Sequence, residues 1–228
     1  MCARRRRETV STGQVTDVFN QLVDYFAIVD ELDRQVTKLL GKQVLDRSRS
    51  DFGGFVGDDG LAGGVSVGSV VLLGYAYLLV ESTYFQNQGL LNRIRMALGF
   101  GRYAQRPSGR FDLLSTNFDS GPDTAFVVQS LAPLVKAARE HNGSDGAAEI
   151  AESAGWLIRL AVPGICAGGF HTPNHRWVIV SALAQAVELF PDLEITAQID
   201  AFLDEGIDIN EDGEYTERSA GIYNAICN

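Results

Sequence analysis

The chain has 228 residues, of which 46% are hydrophobic and 21% are charged. These proportions are typical of an ordinary globular protein, so they exclude a collagen, a coiled coil and a disordered tail. The net charge of −10 argues against nucleic-acid binding, because neutralising phosphates requires a positively charged face. The three cysteines lack metal-ligand spacing, so neither a zinc site nor a disulfide framework is expected.

Two segments raise the question of export or membrane insertion. Arg4 to Arg7 resemble the start of a signal peptide, but no apolar core follows them. We therefore expect residues 1–13 to be disordered and the chain as written to be cytoplasmic, or periplasmic or secreted if its natural N-terminus is missing. Residues 61–80 are uncharged and long enough to span a membrane, yet they contain four glycines and lack a basic flank. A buried helix is favoured there, and no membrane span is expected.

Hydrophobic periodicity predicts helices along almost the whole chain. Apolar residues recur at intervals of three and four, and glycine or proline marks the turns between the segments. A long loop is expected over residues 42–64, an arginine-containing loop over 99–120, and a helix break at Pro163. The expected helices cover residues 14–41, 65–81, 87–99, 119–140, 147–161, 173–190, 193–205 and 216 onwards.

No alternating strand pattern is evident, so the predicted fold class is all-α. Eight helices would form about four antiparallel hairpins. A closed (α/α) toroid of six hairpins needs roughly 300 residues, so residues 14–228 are expected to form an incomplete toroid. The last residues make an apolar face that stops in mid-period, which suggests a C-terminally truncated domain.

The first candidate site lies at the start of a predicted helix. Thr172 is a suitable N-cap and Pro173 suits the first helical position, which places Asn174, His175 and Arg176 in the first turn. Their side chains, together with free backbone N–H groups and the helix dipole, would favour an anion such as a carboxylate. The alternative is that Asn174 and His175 satisfy backbone groups and that Arg176 is solvated.

The second candidate site follows about thirty residues later. Asp208, Asn210 and Asp212 match the first ligand positions of an EF-hand loop, but Ser219 stands where a bidentate Glu is needed. Calcium is therefore a weak alternative to a polar turn, and no metal site is expected. Four polar residues crowd the segment beyond this turn: Tyr215, Glu217, Arg218 and Tyr223.

Together the two sites resemble the toroidal polysaccharide lyases, in particular the heparinase II/III-like and alginate-lyase groups. The resemblance covers about residues 110–228. Its motifs occur in the order Asn174-His175, Asp212-Gly213, Glu217 and Tyr223. It implies β-elimination on an acidic polysaccharide that contains uronic acid, without a metal or organic cofactor. A C-terminal β-sandwich domain is a possible missing part.

The resemblance also implies residue roles. Asn174 and His175 would neutralise the substrate carboxylate, and Tyr223, its phenol perturbed by Arg218 or Arg176, would act as base and acid. The remaining expected substrate-binding residues are His171, Arg176, Tyr215, Glu217 and Arg110. Tyr223 departs from the family pattern, since it is followed by Asn224 and would point about 140° away from Arg218 on a regular helix. Tyr215 is therefore a second candidate base.

Two alternatives stay open. One is a toroidal glycoside hydrolase, of unsaturated glucuronyl type, that uses Asp112, Asp123 or Asp212. The other is a non-catalytic carbohydrate-binding helical scaffold. An acidic protein also needs local cations to attract an acidic polymer, and five arginines, if not merely solvated, would supply them: Arg93, Arg95, Arg102, Arg106 and Arg110. Phe100 and Tyr103 lie nearby to stack on sugar rings.

Overall fold

The structure, a computed structural model, describes residues 24–141, 143–169, 171–206 and 210–212. Within these ranges the chain is mostly helical, which confirms the all-α prediction, whereas the toroidal arrangement stays a prediction. The α-helices are α1 (Tyr25–Lys42), α2 (Val70–Leu78), α3 (Gln88–Ala104), α4 (Gly121–Glu140), α5 (Asp145–Cys166), α6 (Pro173–Leu189) and α7 (Thr196–Asp204). A 3₁₀ helix covers Gly64–Ser69, and two short strands are β1 (Phe111–Leu113) and β2 (Asn117–Ser120).

The helices at the start of the described region follow the hydrophobic pattern with adjusted ends. Asp24 caps α1 by accepting hydrogen bonds from the backbone N–H groups of Phe26 and Ala27, and residues 14–23 lie outside the described residues. The uncharged segment 61–80 forms the 3₁₀ helix and then the short, largely buried α2. None of the helices in the described ranges is long and apolar enough to cross a membrane.

The break predicted at Pro163 is wrong, because α5 continues through this proline to Cys166. A proline inside a helix costs about 3 kcal/mol. The apolar face of α5 offsets this cost, since Ile158, Ala161, Val162 and Ile165 are almost completely buried on either side of the proline. Packing of the helix on its neighbours therefore overrides the local signal.

The expectation of a strand-free fold is also wrong in one place. Part of the predicted arginine-containing loop forms the antiparallel pair β1–β2, in which Phe111 is paired with Ser120. Phe111 is fully buried, and its backbone N–H donates to the side-chain oxygen of Thr124 on α4 at 2.8 Å. The hairpin is too short to show a period in the sequence, and its contact with α4 stabilises it.

Helix α4 is the centre of the core, where it packs against α5 on one side and α6 on another. Contacts between α4 and α6 advance together along both helices: Phe126 meets His175, Gln129 bonds Ser181 and Lys136 bonds Glu188. These two helices are therefore parallel, while α5, which connects them in the chain, runs in the opposite direction so that its end lies near the start of α4. As a consequence, the first turns of α4 and α6 and the segment after α5 meet at one end of the molecule.

Candidate functional site

A pocket of about 340 Å³ lies at this end of the molecule. Its wall consists of β2, the first turn of α4, the segment Gly168–Gly169 after α5, and two side chains from the predicted site, Arg110 and His175. Both glycines have positive φ angles, of 70° and 120°, a conformation that glycine adopts without strain. The pocket therefore brings together parts of the chain that are far apart in the sequence.

Arg110 is held in the pocket wall by main-chain carbonyls. Its guanidinium donates to the carbonyl oxygens of Gly164 at 2.8 Å, Gly168 at 2.6 Å and Asp119 at 3.3 Å. Cations are favoured at the carboxyl end of a helix, where carbonyls lack partners. No carboxylate of the described residues forms an ion pair with Arg110, so its charge contributes a positive potential to the pocket.

The turn before Arg110 explains how this side chain reaches α5. Gly109 has a φ of +85°, and a Cβ atom there would lie 1.9 Å from the carbonyl oxygen of Leu160. Farther along α5, a Cβ on Gly164 would lie 2.5 Å from the carbonyl oxygen of Ser108. Two glycines therefore let the turn lie directly against the helix backbone, which positions Arg110 over the helix end.

His175 is half-buried in the first turn of α6, and its ring meets that of Phe126 edge-on at 6.4 Å. Its Nδ1 is enclosed and has no hydrogen-bond partner among the described residues. A buried unpaired N–H is rarer than a buried unpaired acceptor, so in a neutral ring the proton is assigned to Nε2. His175 lines the pocket, so a ligand there would meet its ring.

Asn174 is placed beside His175 but is not part of the pocket wall. Its Oδ1 accepts from the Thr172 hydroxyl and from the backbone N–H of His175, the latter at 2.9 Å. Thr172 occupies the predicted N-cap position and Pro173 the first turn, yet the Thr172 side chain makes no capping bond to the backbone. Asn174 therefore orders the first turn of α6 with its oxygen, while its Nδ2 makes no hydrogen bond within the described part of the chain.

The sequence analysis expected His171 and Arg176 to converge with His175 on a ligand, but the structure places both elsewhere. Arg176 is 6% exposed and forms an ion pair with Glu205, just after α7, at 3.0 Å between Nε and Oε2. His171 Nε2 approaches the same Oε2 atom at 3.0 Å. Both side chains therefore connect the start of α6 to the end of α7 instead of meeting a ligand beside His175.

Asp119 also lines the pocket, in a segment to which the sequence analysis assigned no role. It has a φ of +50°, which is uncommon for a residue with a side chain, and its carboxylate accepts a hydrogen bond from the Ser108 hydroxyl. Strained backbone conformations cluster at functional sites. The positive φ is the feature that singles out Asp119, and it is visible only in the structure.

Two of the five clustered arginines are neutralised by carboxylates. Arg95 and Arg106 form paired hydrogen bonds with Glu149 and Asp112. Arg93 bonds the Gln43 side chain and the Leu40 carbonyl, and Arg102 stacks on Trp156 at 4.1 Å. With Arg110 bound to carbonyls, all five arginines have partners in the fold. Of the two expected stacking rings, Tyr103 is exposed and Phe100 is buried.

The carboxylates of the hydrolase alternative are also engaged. The guanidinium of Arg106 lowers the pKa of Asp112 below its ordinary value, and Asp112 also accepts from the backbone N–H of Asp119 at 2.7 Å. Asp123 accepts from Asn117 Nδ2 at 3.0 Å and from Ser120 Oγ at 2.5 Å. These contacts hold the β1–β2 hairpin and the start of α4 around the pocket.

Most of the second candidate site lies outside the described residues. This holds for Asp208 and for the expected catalytic and binding residues Tyr215, Glu217, Arg218 and Tyr223. Within the described residues, Asp212 donates its backbone N–H to Asn210 Oδ1 at 3.1 Å, as in the polar turn that was the alternative to calcium. No cluster of three or more potential metal ligands occurs in the described parts of the chain.

Comparison with known proteins gives no further guide to the site. No protein-family model matches the chain, and neither the curated proteins nor the solved structures include a significant match. The function of the protein is therefore inferred from the geometry of the pocket.

Proposed function

We propose that the protein is a polysaccharide lyase that binds a uronic-acid polymer in the His175 pocket and cleaves it by β-elimination. The observation that carries the proposal is that His175, the residue expected from the sequence to neutralise a carboxylate, shares one open pocket with the guanidinium of Arg110. Of the five residues assigned to the site from the sequence that the structure describes, these two line the pocket.

The pocket has groups that would favour a substrate carboxylate. Arg110 supplies a positive charge without an acidic partner in the described residues, and His175 offers a ring nitrogen. In the first turn of α4 the Gly121 N–H lacks an intrahelical partner, whereas Pro122 has no N–H and the N–H of Asp123 donates to Ser120 Oγ. Neutralising the carboxylate makes the neighbouring C5 proton easier to remove, because the resulting charge is stabilised. The loss of one such donor typically costs on the order of 100-fold in rate.

The proton itself would be removed by a tyrosine from the C-terminal segment. Tyr223 is the proposed base and Tyr215 the second candidate, and both lie outside the described residues. The same phenol would return a proton to the leaving O4 oxygen as the C4–O4 bond breaks and the C4–C5 double bond forms. Arg218 remains the proposed partner that perturbs this phenol.

An exposed aromatic ring at the pocket supports a sugar as the ligand. Phe118 on β2 is 63% exposed and lines the pocket. Its ring offers a flat apolar face to a ligand in the pocket. The apolar face of a pyranose ring would cover it, while the carboxylate of the same sugar lies toward His175 and Arg110.

The test is a panel of uronate polymers assayed for the ultraviolet absorbance of the new C4–C5 double bond. We expect His175→Ala to lower the rate by about 100-fold or more. The matched control is His141→Ala, because His141 is an exposed histidine at the opposite end of α4. Tyr223→Phe and Tyr215→Phe then identify the base. Equal rates for His175→Ala and the unaltered protein would refute the proposal.

A second candidate is a glycoside hydrolase that acts on unsaturated glucuronyl sugars. Its supporting observation is that the Asp119 carboxylate lines the same pocket as His175, so a carboxylate is present for acid or base chemistry. The absorbance assay separates the two activities, since hydrolysis of an unsaturated sugar removes the absorbance that a lyase creates. Binding without either change would support the non-catalytic scaffold.

A further inference from the structure

Both ring nitrogens of His171 face hydrogen-bond acceptors. Nδ1 lies 2.9 Å from the carbonyl oxygen of Gly169, and Nε2 lies 3.0 Å from Oε2 of Glu205. A neutral imidazole has only one N–H group, so it can satisfy only one of these acceptors. Both contacts are hydrogen bonds only when His171 carries two protons.

The two acceptors belong to different parts of the site. Gly169 forms part of the pocket wall, and the carbonyl of the neighbouring Gly168 binds Arg110. Glu205 follows α7, whose Phe202 packs edge-on against the His171 ring at 5.5 Å. The imidazole is thus fixed between the pocket wall and α7, so a change in its protonation changes how the wall is held.

Two charged groups of the described residues meet at this histidine. Glu205 approaches it from the end of α7, and Arg176 of α6 shares the same carboxylate oxygen at 3.0 Å while donating to the carbonyl of Gly206. The hydrogen bond from His171, followed by its charge and that of Arg176, lowers the pKa of Glu205. Arg176 pairs with the same oxygen, so Glu205 has a second cationic partner beside His171.

We propose that His171 is a pH-operated latch on the pocket, closed when the imidazole is doubly protonated and loosened when one proton leaves. The latch acts between the deprotonation of Glu205 at acidic pH and the deprotonation of the imidazole. The pocket wall is therefore held more firmly when the imidazole carries both protons, at acidic pH, than when it carries one. Control of ligand binding by the latch rests on the proposed function, whereas the latch itself does not.

The protonation state is tested by nitrogen-edited NMR of the imidazole rings, which distinguishes the imidazolium from either neutral tautomer. The chain has three histidines, so His141→Gln and His175→Gln assign the remaining signals to His171. We expect an imidazolium at about pH 5.5 and a Gly169 amide shift that follows the same titration. A neutral ring at that pH, or a Gly169 signal that ignores the titration, would overturn the latch.

Hydrogen exchange and ligand binding test its consequence. After correction for intrinsic rates, the amides of Gly168, Gly169 and His171 should exchange several-fold more slowly at about pH 5.5 than at pH 8. His171→Gln, which keeps one donor and cannot titrate, should remove this difference, whereas His141→Gln should keep it. Uronate oligosaccharides should then bind more tightly at the lower pH only in proteins with His171. If hydrogen exchange of the pocket wall depends on pH but no uronate binds, the proposed function is refuted and the latch is not.

Discussion

The Thr124 hydroxyl connects β1 to α4, the helix whose first turn lines the pocket. Replacing this hydroxyl tests how the fold is held together at the pocket. Thr124 is fully buried. Its Oγ1 accepts from the backbone N–H of Phe111 at 2.8 Å and donates to the carbonyl oxygen of Ser120 at 2.6 Å. Thr124→Val keeps the shape of the side chain but leaves the Phe111 N–H buried without an acceptor.

The cost follows from which groups lose partners. An unsatisfied buried N–H costs about 1–3 kcal/mol, whereas the Ser120 carbonyl keeps the first bond of the helix because Ser120 is the N-cap. We expect Thr124→Val to lower the free energy of unfolding by about 2 kcal/mol. Thr124→Ser is the matched variant, since it keeps the hydroxyl and loses one methyl group, at about 0.8 kcal/mol.

Urea unfolding, followed by circular dichroism, measures both variants. With a slope of about 2 kcal/mol per molar urea, the valine variant should unfold about 1 M earlier and the serine variant about 0.4 M earlier, with unchanged slopes. A valine variant that is as stable as the serine variant would refute the reasoning, because the hydrogen bond would then contribute no more than a buried methyl group.

Two further predictions concern the parts of the fold that hold Arg110. Arg110→Lys keeps the charge, but one ammonium group cannot reach all three carbonyls. We expect this variant to lose about 2 kcal/mol of stability in urea unfolding. Because the charge remains, it should also bind uronate more tightly than Arg110→Met. Equal binding by the two variants would argue against a role of the charge. Gly109→Ala should destabilise the protein by more than about 3 kcal/mol, because its Cβ would overlap the Leu160 carbonyl in a strained conformation. A thermal scan that shows a melting temperature near that of the unaltered protein would contradict this.

The hydrophobic pattern was sufficient to predict the helices, because a helix that buries one face must repeat apolar residues every three or four positions. The sequence also predicted the helix start at Pro173 and the glycine-rich loop before α2, because the backbone preferences of proline and glycine are local. The same logic failed at Pro163, where the buried face of α5 outweighs the local cost of the proline. It failed again at β1–β2, whose strands are too short to show a period.

The candidate site was only partly predictable. The sequence pointed to His175 and Arg110 but could not indicate that they share a pocket, because that depends on α4 and α6 being parallel and starting at one end. It also could not show that Glu205 engages His171 and Arg176, or that Asp119 adopts a positive φ. Charge patterns likewise did not predict which partners the clustered arginines have in the fold.

The sequence alone thus determined the fold class, the approximate extent of most helices and the types of side chain available for binding an acid. Only the tertiary structure decided which of those side chains face the same space. The physical reason is that burial and backbone preference act on neighbouring residues and leave a periodic trace. Pairing between distant residues, such as Arg110 with Gly164 or His171 with Glu205, depends on how the helices pack and leaves none.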